Sequence, residues 1–275
     1  MSDHAANAEL ALLLEVAGTP KPGNVDRQRD LPNLRFEQFL AGAVGAREGL
    51  ERAAAGEPVG EAFETAVAGM SERSGDNTQF GCLLLLVPLV RAAAAGDLSR
   101  AGVRGVRAET TVADAVRFYR AFDHVDVAVA DPPEGMDELD VRRGGDAAAT
   151  LRDRGLTLAD VMARSEGDAN AREWAEGFPR TFRAAEAILA DEGPVTDRAA
   201  RAFLDLLAES EDTLVRINHG ESVATEIREG AREIGSLAEA EAWADELVER
   251  GINPGTTADL TAAALFVALE RGVEP

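Results

Sequence analysis

The chain has 275 residues and carries 50 acidic against 28 basic side chains, so its formal charge is −22. This excess of negative charge repels polyanions, and nucleic acid is therefore not an expected partner. A chain rich in Asp and Glu with almost no lysine is typical of a protein from a salt-rich cytoplasm, where high ionic strength screens the self-repulsion.

The single cysteine, Cys82, excludes an internal disulfide and a cysteine-based metal cluster. It lies in the apolar run of residues 80–90, which predicts an inert thiol in the core. That run is too short to span a bilayer, and the N-terminus lacks a basic region followed by an apolar one. We therefore expect a cytoplasmic protein without a membrane partner.

Hydrophobic periodicity predicts an all-α fold, a multi-helix bundle around one buried central helix. The central helix is expected over residues 78–95, which are apolar nearly all round, with a bend at Pro88. In chain order, helices are predicted over residues 9–16, 34–54, 59–70, 78–95, 112–122, 147–152, 158–164, 179–189, 197–208, 222–233, 237–249 and 257–270.

The length of the chain and the helical periodicity of its apolar residues favour one helical domain over residues 1–275. Only residues 124–130 alternate like a strand, and one candidate strand does not make a sheet. The loop over residues 131–145 is the best place for an internal break. A small insertion over residues 123–146 is compatible with this pattern.

Three loops share one design, in which a Gly or Pro turn and a group of Asn, Thr and Asp residues lie close to an apolar helix. Glycine beside a helix N-terminus lets a phosphate approach the free amides closely. Nearby aspartates would repel that phosphate unless a divalent metal lay between them. The pattern predicts a metal–polyphosphate site built from Lys21–Arg27, Gly75–Thr78 and Asn253–Asp259.

Each loop also has a structural interpretation. Thr256 and Asp259 are spaced like a capping box, and acids are common at helix starts. Asp76 and Asn77 are compatible with a turn and a cap before the central helix. Glu15, at the end of the first helix, opposes the helix dipole, a conflict that is typical of functional sites.

Lys21 is the only lysine beside 27 arginines, and it stands between two prolines. A surface lysine in a loop is the commonest role for this residue type. Arginine would serve solvation equally well, however, whereas a compact ammonium fits a phosphate or a crowded metal site. The flanking prolines also restrict the backbone around it. The pattern favours a functional role for Lys21.

A fourth polar segment places Asp212, Arg216 and His219 at spacings of four and three, so that in a helix they share one face. The alternative interpretations are an Asp–Arg surface pair and a structural or surface histidine. No His-x-x-x-His zinc spacing, nucleophile elbow or Walker-type phosphate loop occurs in the chain.

Taken together, these segments resemble the triphosphoribosyl-dephospho-CoA synthase family. The resemblance extends over about residues 9–266, nearly the whole chain. The motifs that carry it are Glu15 with Thr19–Asp26, Asn77-Thr78 with Gly81, Asp212-Thr213 with Arg216, and Pro254–Leu260. It implies an all-helical transferase that joins ATP to 3′-dephospho-CoA and releases adenine. The product would be the precursor of an acyl-carrier prosthetic group of citrate or malonate decarboxylating systems.

The resemblance also implies site residues. Displacing adenine from ribose passes through an oxocarbenium-like state, which carboxylates stabilise. We expect Glu15 or Asp26 to deprotonate the attacking hydroxyl, His219 to protonate the leaving base, and Lys21 to neutralise phosphate charge. The expected Mg²⁺ ligands are Asp26, Asp30, Asp212 and Asp259. The expected nucleotide-binding residues are Lys21, Pro22, Gly23, Asn24, Asn77, Thr78, Arg216, Gly255 and Thr256.

Two motifs depart from the bacterial pattern. Where it has Gly-Ala-His-x-Asp-Met, residues 27–31 of this chain match only at Asp30. Where it has Asn-Thr-His-Lys-Gly, this chain has Gln79 and Phe80 in place of the histidine and the lysine. These changes indicate a divergent, haloarchaeal branch, in which the nucleotide half of the reaction is better supported than the acceptor.

Three other classes of function are compatible with the sequence. One is another nucleotide-dependent transferase or a phosphohydrolase on the same scaffold, which the lost histidine and lysine favour. The second is a non-catalytic nucleotide-binding protein, and the third is a halophilic helical protein with capped loops. The expected partners are small molecules, ATP and dephospho-CoA or a related acceptor, and a homo-oligomer is compatible with the sequence.

Overall fold

The computed structural model describes residues 3–132, 135–165 and 167–275. In these ranges the chain forms fifteen α-helices and two short 3₁₀ helices, and no strand. The α-helices are α1 (His4–Ala17), α2 (Phe36–Ala55), α3 (Val59–Ser74), α4 (Phe80–Ala94), α5 (Arg100–Ala108), α6 (Val112–Ala121), α7 (Ala148–Arg154), α8 (Leu158–Arg164), α9 (Ala169–Glu176), α10 (Pro179–Ala190), α11 (Val195–Glu209), α12 (Thr213–His219), α13 (Glu221–Glu233), α14 (Leu237–Glu249) and α15 (Gly255–Glu270). The all-α prediction is confirmed.

The expected central helix is α4, and it is buried along most of its length. A second helix, α15, is buried to the same degree and packs against α4. The main core extends from Ala5 near the N-terminus to Val273 near the C-terminus. The bundle therefore has two buried helices at its centre, with α1, α2 and α10 packed around them.

Pro88 lies inside α4, where it cannot donate the backbone hydrogen bond that would reach the carbonyl of Leu84. That carbonyl accepts instead from the indole Nε1 of Trp174, at 2.9 Å. Trp174 belongs to α9 and is 1% exposed. Because Pro88 leaves the carbonyl of Leu84 free, this carbonyl can bind Trp174 and fix the position of α9.

A smaller core holds the C-terminal helices together. Phe203 of α11, Ile227 of α13 and Leu247 of α14 are buried in it, as is Ile252 in the loop that precedes α15. Gly23 (φ +77°) packs against this loop so closely that a Cβ would lie 2.2 Å from the carbonyl oxygen of Ile252. The first polar loop and the last are therefore adjacent in space.

Several predicted elements differ from the structure. Residues 124–130, which alternate like a strand, form no strand and run as an irregular segment. The helices α5, α9 and α12 were not among the predicted ranges. Two glycines in α5 weaken its helix propensity, and α9 and α12 have only eight and seven residues.

The insertion predicted over residues 123–146 includes Pro133 and Glu134, which lie outside the described residues. The described part of this region contains the two 3₁₀ helices, Asp137–Leu139 and Val141–Ala147. The second of them packs on α6. In the ranges that the structure describes, no helix is both long enough and apolar enough to cross a bilayer.

Candidate active site

A cavity of about 660 Å³ opens among the helices, and all four polar segments reach it or lie directly behind its wall. One part of its wall is polar and is called the polar floor here: Glu15, Asn24, Cys82, Asn170 and Asp259. Another part is called the apolar arm: Phe80, Phe122, Val127, Val129 and Leu139. The cavity therefore offers one polar and one apolar surface to its ligands.

The polar floor is surrounded by the first turns of four helices. Residues of these turns line the cavity: Gly81 and Cys82 of α4, Asn170 and Ala171 of α9, Thr213 and Leu214 of α12, and Gly255 and Thr256 of α15. A helix N-terminus carries positive partial charge and backbone amides without helical partners. Several of these amides donate to protein side chains, those of Phe80 to Asn77, Ala171 to Asp168 and Thr257 to Asp212. What the four converging ends offer an anionic ligand is therefore mainly their dipoles.

Lys21 is fully buried, so the interpretation as an exposed loop lysine is wrong. Its Nζ forms a short ion pair with Glu15 and donates a second hydrogen bond to the Oδ1 of Asn24, at 3.1 Å. Burial raises the pKa of Glu15, with a smaller contribution from Asp26, while Lys21 acts to lower it. An ion pair behind the floor thus supplies a fixed ammonium beside a carboxylate that lines the cavity.

Asp26 is also fully buried, and protein donors occupy both its oxygens. Oδ2 accepts from the hydroxyl of Thr19 at 2.8 Å and from the guanidinium of Arg29 at 3.2 Å, and Oδ1 accepts from the amide of Gln28 at 2.8 Å. Oδ2 also accepts from the amide of Lys21, at 3.2 Å. Asp26 therefore holds the loop in shape.

Asp212 joins two helix starts. Its Oδ1 accepts from the amides of Leu214 and Val215 in α12, at 2.9 and 3.1 Å. Its Oδ2 accepts from the amide and the hydroxyl of Thr257 in α15, at 2.7 and 2.8 Å. Burial raises the pKa of Asp212, and these hydrogen bonds act in the opposite direction. The carboxylate fixes α12 against α15 at the edge of the cavity.

Asp259 lies on the floor itself. Its Oδ1 accepts from the thiol of Cys82 at 3.2 Å, and its Oδ2 accepts from the Nδ2 of Asn170 at 2.8 Å. Burial raises the pKa of Asp259 to about 7, and the charges of Asp212 and Glu15 add to the rise. Among the floor carboxyls, this one is poised to exchange a proton near neutral pH.

The capping-box interpretation of Thr256 and Asp259 is wrong. Helix α15 begins at Gly255 with Pro254 as its N-cap, so Thr256 already lies inside the helix. The carboxylate of Asp259 contacts Cys82 and Asn170 instead of an amide of its own first turn. The polar side chain at this position is directed to the cavity.

At the start of α4, the turn-and-cap interpretation describes the contacts. The Oδ1 of Asn77 accepts from the amide of Phe80 at 3.2 Å, and the Oδ1 of Asp76 accepts from the amide of Asn77 at 2.7 Å. The Nδ2 of Asn77 donates to the carbonyl of Asp126, at 3.2 Å. Asn77 and Thr78 also line the cavity, so their predicted contact with nucleotide stays a prediction.

Asn24 connects the first loop to the last, because its Nδ2 donates to the Oδ1 of Asn253 at 2.9 Å. Pro22 and Gly23 lie buried behind this contact, and neither lines the cavity. Asn24, Gly255 and Thr256 do line it. Part of the predicted nucleotide set is therefore at the cavity wall, and part supports it from behind.

Three predicted residues lie away from the cavity wall. Asp30 is exposed and accepts from the amide of Phe36 at the start of α2, at 2.8 Å. Arg216 donates to the carbonyl of Gly167, and no ion pair with Asp212 occurs within the described residues. His219 is exposed, and its Nε2 lies 3.1 Å from the carbonyl of Gly251. The proton-donor role expected of His219 stays a prediction without support from this geometry.

The four predicted Mg²⁺ ligands do not form one metal site. The oxygens of Asp26, Asp212 and Asp259 already accept hydrogen bonds from the protein, and Asp30 lies at the surface. Within the ranges that the structure describes, no group of three or more His, Cys, Asp or Glu side chains could hold a metal ion. Their expected role as Mg²⁺ ligands stays a prediction.

Asn170 and Asp168 are site residues that the sequence reasoning missed. Asp168 caps α9, its Oδ1 accepting from the amide of Ala171 at 2.8 Å, and burial raises its pKa. Asn170 contacts Asp259 directly. The sequence does carry one signal here. Asp168 directly precedes Ala169, the first residue of the helix, and Asp is a preferred N-cap residue.

The apolar arm includes Phe80, the residue that replaces the lysine of the bacterial pattern. Its ring packs edge-on against Phe122, with the centroids 4.8 Å apart, and against Phe63 at 5.2 Å. Gln79 is buried at the start of α4 and does not line the cavity. The change from lysine to phenylalanine thus extends the apolar wall.

Comparison with known proteins defines the class of this all-helical protein. A crystal structure of a proposed triphosphoribosyl-dephospho-CoA synthase from Archaeoglobus fulgidus aligns with a TM-score of 0.70 and 27% sequence identity. The alignment covers 86% of this chain and 100% of the Archaeoglobus chain. No curated protein sequence matches this chain.

The CitG family of ATP:dephospho-CoA triphosphoribosyl transferases matches residues 1–274. The chain belongs to this family, and it is therefore a transferase. The predicted resemblance is confirmed.

Proposed function

We propose that the protein transfers the triphosphoribosyl group of ATP to 3′-dephospho-CoA and releases adenine. The observation that carries this proposal is the convergence of four helix starts on a cavity floor backed by the buried pair of Lys21 and Glu15. Family membership supplies the reaction class. The helix starts around the floor would supply dipoles for phosphate, and the carboxylates of the floor would face the donor-rich sugar and base.

The charges at the wall bear on the form in which ATP binds. Seven carboxylates line the cavity, whereas Arg164 is the one basic residue lining it among the described residues. Free ATP would be repelled by this wall. We therefore propose that ATP enters as its Mg²⁺ complex, in which Mg²⁺ is carried by the triphosphate and contacts at most one or two carboxylates.

The reaction exchanges one bond at C1′ of the ATP ribose. The glycosidic C1′–N bond to adenine breaks, and a C1′–O bond forms to a ribose hydroxyl of the acceptor. The acceptor hydroxyl loses its proton, and the departing adenine gains one. Glu15 and Asp259 are carboxyls of the polar floor, and we propose that they move these protons. Asp259, whose pKa is about 7, is our candidate for the proton exchange expected of His219.

The apolar arm fits the acceptor. Dephospho-CoA has a long uncharged pantetheine chain, and the arm offers Phe80, Phe122 and Val129 as an apolar surface. We propose that this chain lies along the arm, with the ribose of the acceptor toward the polar floor. A second candidate is the transfer of the same group to another, less charged acceptor, which the replacement of lysine by Phe80 favours.

The test is to incubate the protein with ATP, Mg²⁺ and 3′-dephospho-CoA and to follow adenine by chromatography and the conjugate by mass spectrometry. Controls omit the acceptor or supply CoA in its place. Free adenine with the conjugate supports the proposal. Formation of ADP or AMP alone would contradict it, and ATP binding without any product would indicate a nucleotide-binding protein.

We also propose that the protein works in a salt-rich cytoplasm, which its charge of −22 supports. Screening of repulsion between its carboxylates should stabilise the fold. The melting temperature is therefore expected to rise steadily between low and molar KCl. A melting temperature independent of salt would contradict this proposal. A homo-oligomer stays a prediction, which sedimentation would test.

A further inference from the structure

The side chain of Asn170 has one unpaired end. It is 6% exposed and lines the cavity, and its Nδ2 donates to the Oδ2 of Asp259 at 2.8 Å. Its Oδ1 is buried without a hydrogen-bond partner in the described part of the chain. A buried acceptor without a donor is costly to retain, and such groups in native proteins call for an explanation.

The position of Asn170 is fixed by the helix that carries it. The amide of Ala169 donates to the hydroxyl of Thr213 at 3.0 Å, which ties the start of α9 to α12. At the other end of α9, Trp174 bonds to the carbonyl of Leu84 that Pro88 makes available. The unpaired oxygen is therefore held by well-packed structure and cannot turn away to solvent.

The orientation of the amide follows from Asp259. Cys82 donates to one oxygen of this carboxylate, and the other oxygen requires a donor, which Nδ2 provides. Gly81 leaves room for this arrangement, because a Cβ at its position would lie 2.0 Å from the Oδ2 of Asp259 and 2.7 Å from Nδ2. The remaining end of Asn170 is the carbonyl oxygen.

We propose that Asn170 is a specificity-determining residue, whose carbonyl oxygen accepts a hydrogen bond from an uncharged N–H or O–H group of the nucleotide substrate. This inference rests on the proposed function. The donor has two possible sources in ATP, the exocyclic amino group of adenine and the hydroxyls of the ribose. A site that must satisfy a buried polar group discriminates strongly against analogues that lack the matching group.

Other ligands fit this oxygen less well. Phosphate oxygens are acceptors and would repel a carbonyl oxygen, as they would the adjacent Asp259. A metal ion would need further oxygen ligands, but both oxygens of Asp259 already accept hydrogen bonds, and the described residues contain no metal-binding group of three. A neutral donor is the chemistry that completes the floor.

The experiment measures kcat/KM at one fixed pH for ATP and for analogues that each lack one donor. The purine ribonucleoside triphosphate without the amino group tests the base, and 2′-deoxy-ATP and 3′-deoxy-ATP test the ribose. We expect wild-type kcat/KM to fall at least about tenfold for one of these analogues. In Asn170→Ala, ATP and that analogue should be used equally well, so the discrimination is lost.

The matched control is Asn33→Ala, which removes an exposed cavity-lining asparagine outside the polar floor and should keep wild-type discrimination. The isosteric Asn170→Asp serves as a second variant should Asn170→Ala not fold, and it should also change the discrimination. Equal use of all analogues by wild type would overturn the inference. The inference would also be overturned if Asn170→Ala lowered kcat/KM by the same factor for every nucleotide. It would be overturned as well if this variant changed only the Mg²⁺ requirement.

The proposed function and the inference about Asn170 can fail independently. Should wild type release no adenine with any acceptor, the proposed function fails. The inference is then read from calorimetric binding of ATP and the same analogues to wild type and Asn170→Ala. Equal affinities of wild type for all of them would overturn it there too.

Discussion

The polar floor and the apolar arm line the same cavity, but they are built in different ways. At the floor, Glu15 forms a buried ion pair with Lys21, and Asp259 accepts hydrogen bonds from Cys82 and Asn170. On the arm, part of the wall is the irregular segment over residues 125–131, whose backbone accepts a side-chain hydrogen bond from Asn77 at Asp126. Fixed charge is thus concentrated where chemistry would occur, and irregular backbone forms part of the wall where a substrate chain would bind.

This difference predicts where substitutions act on stability and where they act on substrate binding alone. A change on the floor leaves a charge or a clash inside the protein and should affect both folding and activity. A change at a partly exposed position of the irregular segment over residues 125–131 should affect mainly binding.

The largest effect is expected from Lys21→Met. This variant leaves Glu15 as a buried carboxylate without its partner, so the free energy of unfolding should fall by about 3–5 kcal/mol. Turnover should be lost. Urea denaturation gives the stability, and the adenine assay gives the activity.

The double variant Lys21→Met with Glu15→Leu removes both charges and should recover much of the lost stability without recovering activity. A Lys21→Met variant as stable and as active as wild type would show that the ion pair is not what holds the floor.

The next effect is a pH dependence due to Asp259. Its pKa is raised in the folded protein, so the folded state binds more protons than the unfolded state between pH 4 and pH 7. The contribution of Asp259 to stability should therefore be fully present near pH 4 and be lost as the pH rises through 7. The expected loss is about 3 kcal/mol, allowing for the partial exposure of the side chain.

Asp259→Asn is the comparison, because it cannot ionise. The difference in unfolding free energy between wild type and this variant, measured by urea denaturation across the pH range, isolates the contribution of Asp259. A difference that does not change between pH 4 and pH 8 would mean that the pKa of Asp259 is close to its ordinary value.

A smaller effect on stability is expected from Gly81→Ala, because the new Cβ would lie 2.0 Å from the Oδ2 of Asp259. The carboxylate and Asn170 must move, at a cost of about 1–3 kcal/mol, and activity should fall strongly. Gly105→Ala is the matched control within a helix, since nothing lies within 4 Å of its Cβ. It should stabilise the protein by up to about 1 kcal/mol and leave activity unchanged.

The smallest effect on stability is expected from Val129→Ser in the irregular segment over residues 125–131. Unfolding free energy should stay within about 0.5 kcal/mol of wild type, while KM for dephospho-CoA rises several-fold. Val125→Ala, at a valine of the same segment that does not line the cavity, should leave KM unchanged. Equal KM values in all three proteins would remove the arm from acceptor binding.

Much of the helical architecture could be predicted because local periodicity carries it. The ranges 158–164 and 237–249 coincide with α8 and α14. The short helices α9 and α12 could not be found in this way, because their stability depends on contacts such as those of Trp174 and Asp212 with distant parts of the chain.

The candidate site was predicted in part. Glu15, Lys21, Asn24 and Asp259 are visible in the sequence as unusual residues in loops or at helix ends, and the structure brings them to or directly behind one floor. Asn170 carries no such signal, since its importance comes from the contact with Asp259 across 89 positions of the chain.

The sequence by itself determined the all-helical class, the acidic surface and the family, since composition, period and short motifs are local properties. Only the tertiary structure decided which carboxylates are partnered and which oxygen is left open to the cavity. Hydrogen bonding and burial depend on groups far apart in the chain. They separate Asp26 and Asp212, which have structural roles, from Asp259 and Asn170, which line the cavity.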